Sequence, residues 1–237
     1  MSRETSLAPG VTTRLALFDL DNTLLTGDSD VLWVEFLLAR GILDASFAAA
    51  NTDMDRRYRA GLATAQEFCA LYVSTLTHMT REAGEALREA FHTEIIQPRI
   101  PAAARALVES HRAAGDTLVM TTATNRFITE LTAIEFTIDH LIATEIEEDG
   151  GVFTGKTAGV LNMREGKVER LRQWLAARDL PETLIGGATF YSDSVNDLPL
   201  LSAVNNPLVV DGDAALVNEA KTRGWRLLSL DRSINNL

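Results

Sequence analysis

Residues Leu15-Ala16-Leu17-Phe18-Asp19-Leu20-Asp21-Asn22-Thr23 form a short apolar run that breaks directly into two carboxylates. The run reads as a buried strand, and the Gly27-Asp28-Ser29-Asp30 cluster beyond it reads as a loop. A strand ending in Asp-x-Asp delivers one side chain and one backbone carbonyl to the same point, which suits a hard, oxygen-seeking divalent cation. Taken alone, the motif is equally compatible with a solvated turn. A second acidic strand end, Ala188-Thr189-Phe190-Tyr191-Ser192-Asp193-Ser194-Val195-Asn196-Asp197, separates the two readings. Two such ends share one cation only if their strands lie side by side, as they do at the carboxyl edge of a parallel sheet in an α/β fold.

Between the two ends the chain changes character. From about Asp30 to Glu94 it is rich in Ala, Leu, Glu and Arg, with helical spacing at Val31, Val34, Leu37 and Leu38. Further helices are predicted over Phe47–Tyr58, Ala65–Thr75 and Arg81–Phe91, and Pro98 and Pro101 close the block. Strands and helices then alternate. A helix over Ala102–Ala114 ends at Gly115 and precedes a strand at Leu118–Thr121, and another helix spans Arg126–Ile134. A strand at His140–Thr144 leads into a hairpin around Asp149-Gly150-Gly151. A helix over Lys167–Arg178, the strand ending near Ser192, and short strands at Pro207–Val210 and Trp225–Ser229 complete the set. Helices between strands imply right-handed crossovers and a parallel sheet.

Four motifs in order, Asp19-Leu20-Asp21-Asn22-Thr23, the threonine-ended strand Thr117-Leu118-Val119-Met120-Thr121-Thr122, a lysine before a helix, and Asp193-Ser194-Val195-Asn196-Asp197, cover nearly the whole chain. In this the chain resembles the haloacid dehalogenase-like superfamily, and within it the phosphoserine phosphatase-like branch. The resemblance implies a Rossmann-like α/β core of parallel strands, residues 13–27 and 100–237, with an inserted α-helical cap domain, residues 28–99, and a loose tail over residues 1–12.

It also implies roles. Asp19 is the expected nucleophile, forming an aspartyl-phosphate, and Asp21 the expected general acid and base. Mg²⁺ is expected on Asp19, the backbone carbonyl of Asp21 and Asp193, with Asp197 ordering its waters or pairing with the lysine. Lys156 and Lys167 both precede the fourth motif; Lys167 opens a helical run, as the family's lysine does. Thr122 and the N–H of Ala123, at a strand-to-helix turn, and Asn196 in the fourth motif are the expected phosphate contacts. Thr122 is also compatible with a helix cap.

Composition bounds the rest. A formal net charge of −11 argues against nucleic acid or an anionic membrane surface as partner. The single cysteine, Cys69, precludes an intramolecular disulfide and sits in an apolar stretch that reads as core. No leader or membrane segment is read in the sequence, so a cytoplasmic location is the expectation, and the sequence sets no oligomeric state. The four histidines show no metal-ligand spacing, and Trp33, Phe36, Phe68 and Tyr72 read as the interior of the helical block.

The expected substrate is a small phosphorylated metabolite. In phosphoserine phosphatases the acidic residue nine positions after the nucleophile meets the substrate ammonium group; Asp28 stands there, and it is equally an N-cap for the first inserted helix. The arginine those enzymes place in a cap helix has no counterpart in Gly61–Ala70, though Arg56, Arg57 and Arg59 lie just before it, so another small phosphomonoester, such as the amino-alcohol phosphate histidinol phosphate, is as credible as phosphoserine. A phosphotransferase or sugar phosphomutase on the same fold is the alternative activity.

Overall fold

The structure, a computed structural model, describes residues 14–60 and 62–233, so the expected tail over residues 1–12 lies outside the described residues. Strand β1 (Leu15–Phe18) is followed by helices α1 (Ser29–Ala39), α2 (Ala45–Arg59), α3 (Ala65–Ser74) and α4 (Arg81–Phe91). Next come α5 (Ala102–Ala113), β2 (Thr117–Asn125), α6 (Arg126–Glu135), β3 (His140–Asp149) and β4 (Val152–Ala158). The chain closes with α7 (Glu165–Ala176), α8 (Leu184–Gly187), β5 (Thr189–Ser192), α9 (Leu198–Ala203), β6 (Asn206–Val210), α10 (Ala214–Arg223) and β7 (Arg226–Leu228).

The seven strands form one sheet in the order β4-β3-β2-β1-β5-β6-β7, parallel except for β3 with β4. All four residues of β1 are buried, and alternation sends Leu15 and Leu17 to one layer and Ala16 and Phe18 to the other. Leu15 and Leu17 join Leu171, Leu175, Phe190, Leu200 and Leu216; Ala16 and Phe18 join Ala104, Val108, Met120, Phe127 and Phe136. A central parallel strand covered on both faces is continuously apolar for this reason. It therefore ends abruptly where it meets polar surroundings.

The inserted helices start on side-chain caps, as the sequence pattern requires. Asp28 caps α1, Asp44 caps α2, Thr64 forms a capping box with Glu67 at α3, and Thr80 caps α4. Trp33, Phe36 and Phe91 stack within 5.7 Å of one another and join the core layer under Phe18, which anchors the block to the sheet. Tyr72 is buried and Phe68 half-buried between Tyr58 and Tyr72. Cys69 is buried, and that burial pushes its thiol up to about 12, the state of a packing residue.

Three departures from the sequence reading have physical causes. Strand β2 runs to Asn125, beyond the expected end at Thr121, because its threonines keep bonding to neighbouring elements past the point where β3 pairs regularly. The Asp28-Ser29-Asp30 segment is a cap and first helical turn, with Ser29 and Asp30 buried. The β3–β4 hairpin, turning at Gly150 and Gly151 with positive φ, packs against the inserted helices: His78 N donates to Phe153 O, Phe153 N to Met79 O, and Gln66 to Thr157. No helix among the described residues is long and apolar enough to cross a membrane.

Candidate active site

Register builds the site. Phe18 pairs with Met120 on β2 and Tyr191 on β5, and Asp19 N donates to Tyr191 O at 2.9 Å. Asp19 therefore leaves β1 beside Thr121 and Thr122 on one side and Ser192 and Asp193 on the other. The chain then turns through Asn22, whose φ of 56° is a left-handed conformation that asparagine tolerates, and Asn22 N closes the turn on Gly27 O at 3.0 Å.

Lys167, 2% exposed on α7, donates to Asp19 Oδ1 and to Asp197 Oδ2, both at 2.7 Å. Ser192 Oγ also donates to Asp197 Oδ2 at 2.7 Å. Burial opposes the charge on Lys167, yet Asp19 and Asp197 outweigh it and hold the ammonium well above the ordinary lysine range. Of the two candidate lysines, Lys167 reaches Asp19, while Lys156 stands exposed on β4.

Thr23 Oγ1 lies 3.1 Å from Asp19 Oδ2 and 3.1 Å from Asp193 Oδ1, and it accepts Asp193 N–H at 3.1 Å. One hydroxyl proton serves only one of two carboxylates. Burial raises the proton affinity of both, with Lys167 the main opposing influence on Asp19 and the Asp19 charge adding to the rise on Asp193. A divalent cation suits this donor set: two carboxylates meet at one hydroxyl, and the Asp21 carbonyl lies in the turn between. Among the described residues no trio of His, Cys, Asp and Glu side chains forms a ready metal cage. Mg²⁺ needs none, since it keeps several waters and binds through one or two carboxylates plus phosphate oxygen.

Asp21 occupies a separate pocket. Its Oδ1 accepts Ser29 N–H at 2.7 Å, and its Oδ2 lies 3.2 Å from Thr122 Oγ1 and 3.0 Å from Thr124 Oγ1. Burial and the charge on Asp28 push its carboxyl up to about 6, against the hydrogen bonds from Ser29 and Thr124. Thr122 is fully buried, accepts Thr124 N–H at 3.1 Å and faces Asp21. Ala123 is half-buried inside β2, and the following helix starts three residues later, capped by Asn125. The expected strand-to-helix turn at Thr122–Ala123 is corrected accordingly. Asp28 Oδ1 accepts the N–H groups of Asp30 and Val31, and Asn196 Oδ1 accepts from Arg164.

Several polar residues in the site gave no signal of role in the sequence. Thr23 ends the first acidic motif and joins both carboxylate ends. Asn162, fully buried and just before α7, has its Nδ2 within 2.9–3.0 Å of Thr121 Oγ1, Thr122 O and Ile142 O, clasping β2 to β3. Thr124 joins Asp21 to the buried Asp30, whose carboxyl is raised well above the ordinary range by burial and by Asp28 and Asp21. Neither a lone asparagine nor a threonine run shows such partners without the fold.

An α/β sheet whose central strand ends meet in four carboxylates and one buried lysine defines a phosphate-handling class of enzyme. The sequence pattern of the haloacid dehalogenase-like hydrolases matches residues 16–202, and the chain belongs to that family. It is 39% identical to a histidinol-phosphatase of Neisseria meningitidis over 217 residues, 91% of this chain and 98% of that one. It is 31% identical to the phosphoserine phosphatase SerB1 of Mycobacterium tuberculosis, over 91% of this chain and 70% of that one. Among solved structures, a Bordetella pertussis Tohama I protein of unknown function is 39% identical with a TM-score of 0.87, covering 94% of this chain and all of that one. A substrate-bound phosphoserine phosphatase, 14% identical with a TM-score of 0.67 over 92% of this chain and 94% of that one, shares the fold.

Proposed function

We propose that this chain is a Mg²⁺-dependent phosphomonoesterase acting on a small amino-alcohol phosphate in the cytoplasm. The observation that carries the reading is the pair of carboxyl groups at one strand end in opposite settings. Burial raises the proton affinity of both, but Asp19 is held by the Lys167 ammonium, whereas Asp21 sits in a hydroxyl-lined pocket against Thr122 and Thr124. Asp19 attacks phosphorus as the ester P–O bond breaks, and Asp21 gives its proton to the departing oxygen. Asp21 then takes a proton from water, which attacks the aspartyl-phosphate, releases phosphate and restores Asp19.

Asp19, Asp193 and the Asp21 carbonyl are the groups that would hold Mg²⁺. When bound, the ion neutralises phosphate charge so that an anionic nucleophile can approach. Asp197 keeps Lys167 in place, and Lys167 both orients Asp19 and meets the phosphoryl oxygens. Thr122, the Ala123 N–H and Asn196 supply further phosphate contacts. The helical block, residues 28–99, acts as the cap. Asp28, near Asp21, is assigned to the substrate's ammonium group while its Oδ1 caps α1. The N. meningitidis relative, similar over 98% of its length, supports histidinol phosphate as the first substrate to test.

Purified protein should hydrolyse histidinol phosphate faster than phosphoserine, lose activity in EDTA and recover it with Mg²⁺ better than with Ca²⁺. Asp19→Asn should abolish turnover with the fold intact, and Asp193→Ala should raise the Mg²⁺ requirement or remove activity. Undiminished hydrolysis after exhaustive chelation, or by Asp19→Asn, would overturn the mechanism.

A further inference from the structure

Arg164 stands where the chain turns into α7, with φ 53° and ψ −126°, a backbone region that glycine enters freely and L side chains rarely adopt. The turn is tight. Gly166 N donates to Met163 O and Lys167 N to Arg164 O, and a Cβ at Gly166 would lie 2.0 Å from Leu161 O. Glycine at position 164 would relieve the strain, yet an arginine occupies it. Strain of this kind persists only where the surrounding structure holds it in place, and it clusters at functional sites.

The guanidinium spans three elements. Its Nε donates to Asn196 Oδ1 at 3.2 Å, its Nη2 to Tyr58 OH at 3.3 Å, and its carbon lies 5.5 Å over the Tyr58 ring. Tyr58 belongs to α2, and its hydroxyl also meets Met163 Sδ at 3.3 Å. Asn196 lies between Asp193 and Asp197, and Arg164 precedes Lys167 by one helical turn. Arginine has donors and no acceptor, so the asparagine amide can face it only through oxygen. Its Nδ2 donors are thereby turned away from Arg164.

We propose that Arg164 is a positioning residue that couples the seating of the inserted helices to the phosphate site. With α2 in place, Tyr58 and Arg164 hold each other, and Arg164 fixes Asn196 with its amide donors presented to the phosphoryl group. When α2 lifts, Arg164 loses one of its two anchors and Asn196 loses its fixed orientation. The inference rests on the phosphatase reading for Asn196 and on geometry alone for the link to α2.

Arg164→Gly is the informative variant, because it removes the side chain and the backbone strain together. A purely structural role for the side chain would show as a lower Tm. The expected result is an equal or higher Tm, kcat/KM on p-nitrophenyl phosphate lowered about tenfold or more, weaker inhibition by inorganic phosphate, and faster amide exchange over α2. Tyr58→Phe should reproduce part of the loss, and the double variant should fall short of the sum of the single effects. Arg164→Lys, which cannot reach both partners in the same fork, should restore little. Unchanged kcat/KM, unchanged α2 exchange, or activity loss that tracks a lower Tm would each overturn the proposal. If the wild type lacked phosphatase activity, the phosphatase reading would fail by itself, and α2 exchange would still decide the Arg164 link.

Discussion

Lys167→Met should be the most destabilising single change at the strand ends, and its size follows from the geometry. The ammonium sits 2.7 Å from an oxygen of each of Asp19 and Asp197, and all three side chains are at most 8% exposed. Methionine matches the length of the lysine stem, so the packing around α7 is kept while the charge is lost. Removing one partner of a buried ion pair costs about 3–5 kcal/mol, because the remaining charge is left uncompensated. For a chain of this size each kcal/mol moves Tm by about 2–4 °C, so a fall of about 6–20 °C is expected at pH 7.5 in EDTA. Asp19 also loses the main influence that lowers its proton affinity. It can then escape the penalty by taking up a proton, so the difference between variant and wild type should shrink as pH falls toward about 7, the value Asp19 holds with Lys167 in place, and level off below it. Urea unfolding of both proteins across pH, followed by circular dichroism, reads this directly. A loss below about 1 kcal/mol at pH 7.5, the value of an exposed ion pair, would refute the buried bridge.

Asp21→Asn should slow hydrolysis of an alkyl phosphate by about 10²–10⁴-fold and that of p-nitrophenyl phosphate by much less, because only the poor leaving group needs the proton. Equal losses in steady-state kinetics would remove Asp21 as the acid. The metal-free protein should become less stable as pH rises. Burial holds Asp19, Asp21 and Asp193 above the carboxyl's ordinary 3.8, with Asp21 at about 6 and Asp193 at about 8, so the native state binds protons that the unfolded chain has released. That stabilisation is complete below 3.8 and is lost as pH climbs through the folded values. Urea midpoints in EDTA should fall between pH 5 and 8, and excess Mg²⁺ should flatten the trend; a rise over that window would contradict it.

The fold was legible where a periodic pattern had only one use. The apolar run of β1 read as a covered strand, and the spacing of Val34 and Leu37 placed α1 because both are buried, with Leu37 in the core layer that holds Phe18. The two acidic strand ends were legible for the same reason. What stayed hidden was contact between polar residues of unremarkable type. Thr23, Thr124 and Asn162 act through hydroxyl and amide groups whose partners lie on strands far away in sequence. The extent of β2 was hidden too, since Thr121 to Thr124 carries no turn residue and no apolar alternation, and only Asn125 marks the end. The hairpin's turn at Gly150 and Gly151 was readable, but its docking on α3 and α4 depends on Met79 and Phe153, which read as ordinary apolar positions.

The charge arithmetic of the strand ends sets the order in which this site can be filled. Asp19 and Asp197 share one fixed cation, Lys167, while one hydroxyl proton from Thr23 lies between Asp19 and the nearby Asp193. A phosphate monoester brings close to two further negative charges at neutral pH. In a buried site such charges repel far more strongly than they do in water. Burial raises Asp19 to about 7 and Asp193 to about 8, so the metal-free protein already carries protons there near neutral pH, and a protonated Asp19 is no longer a nucleophile. A divalent cation held by Asp19 and Asp193 would remove that conflict, since it would compete with those protons and offset the charge of the incoming phosphate. The expected need for a metal thus follows from charge as well as from ligand geometry: Asp19 can attack only when ionised, and its charge must then be compensated.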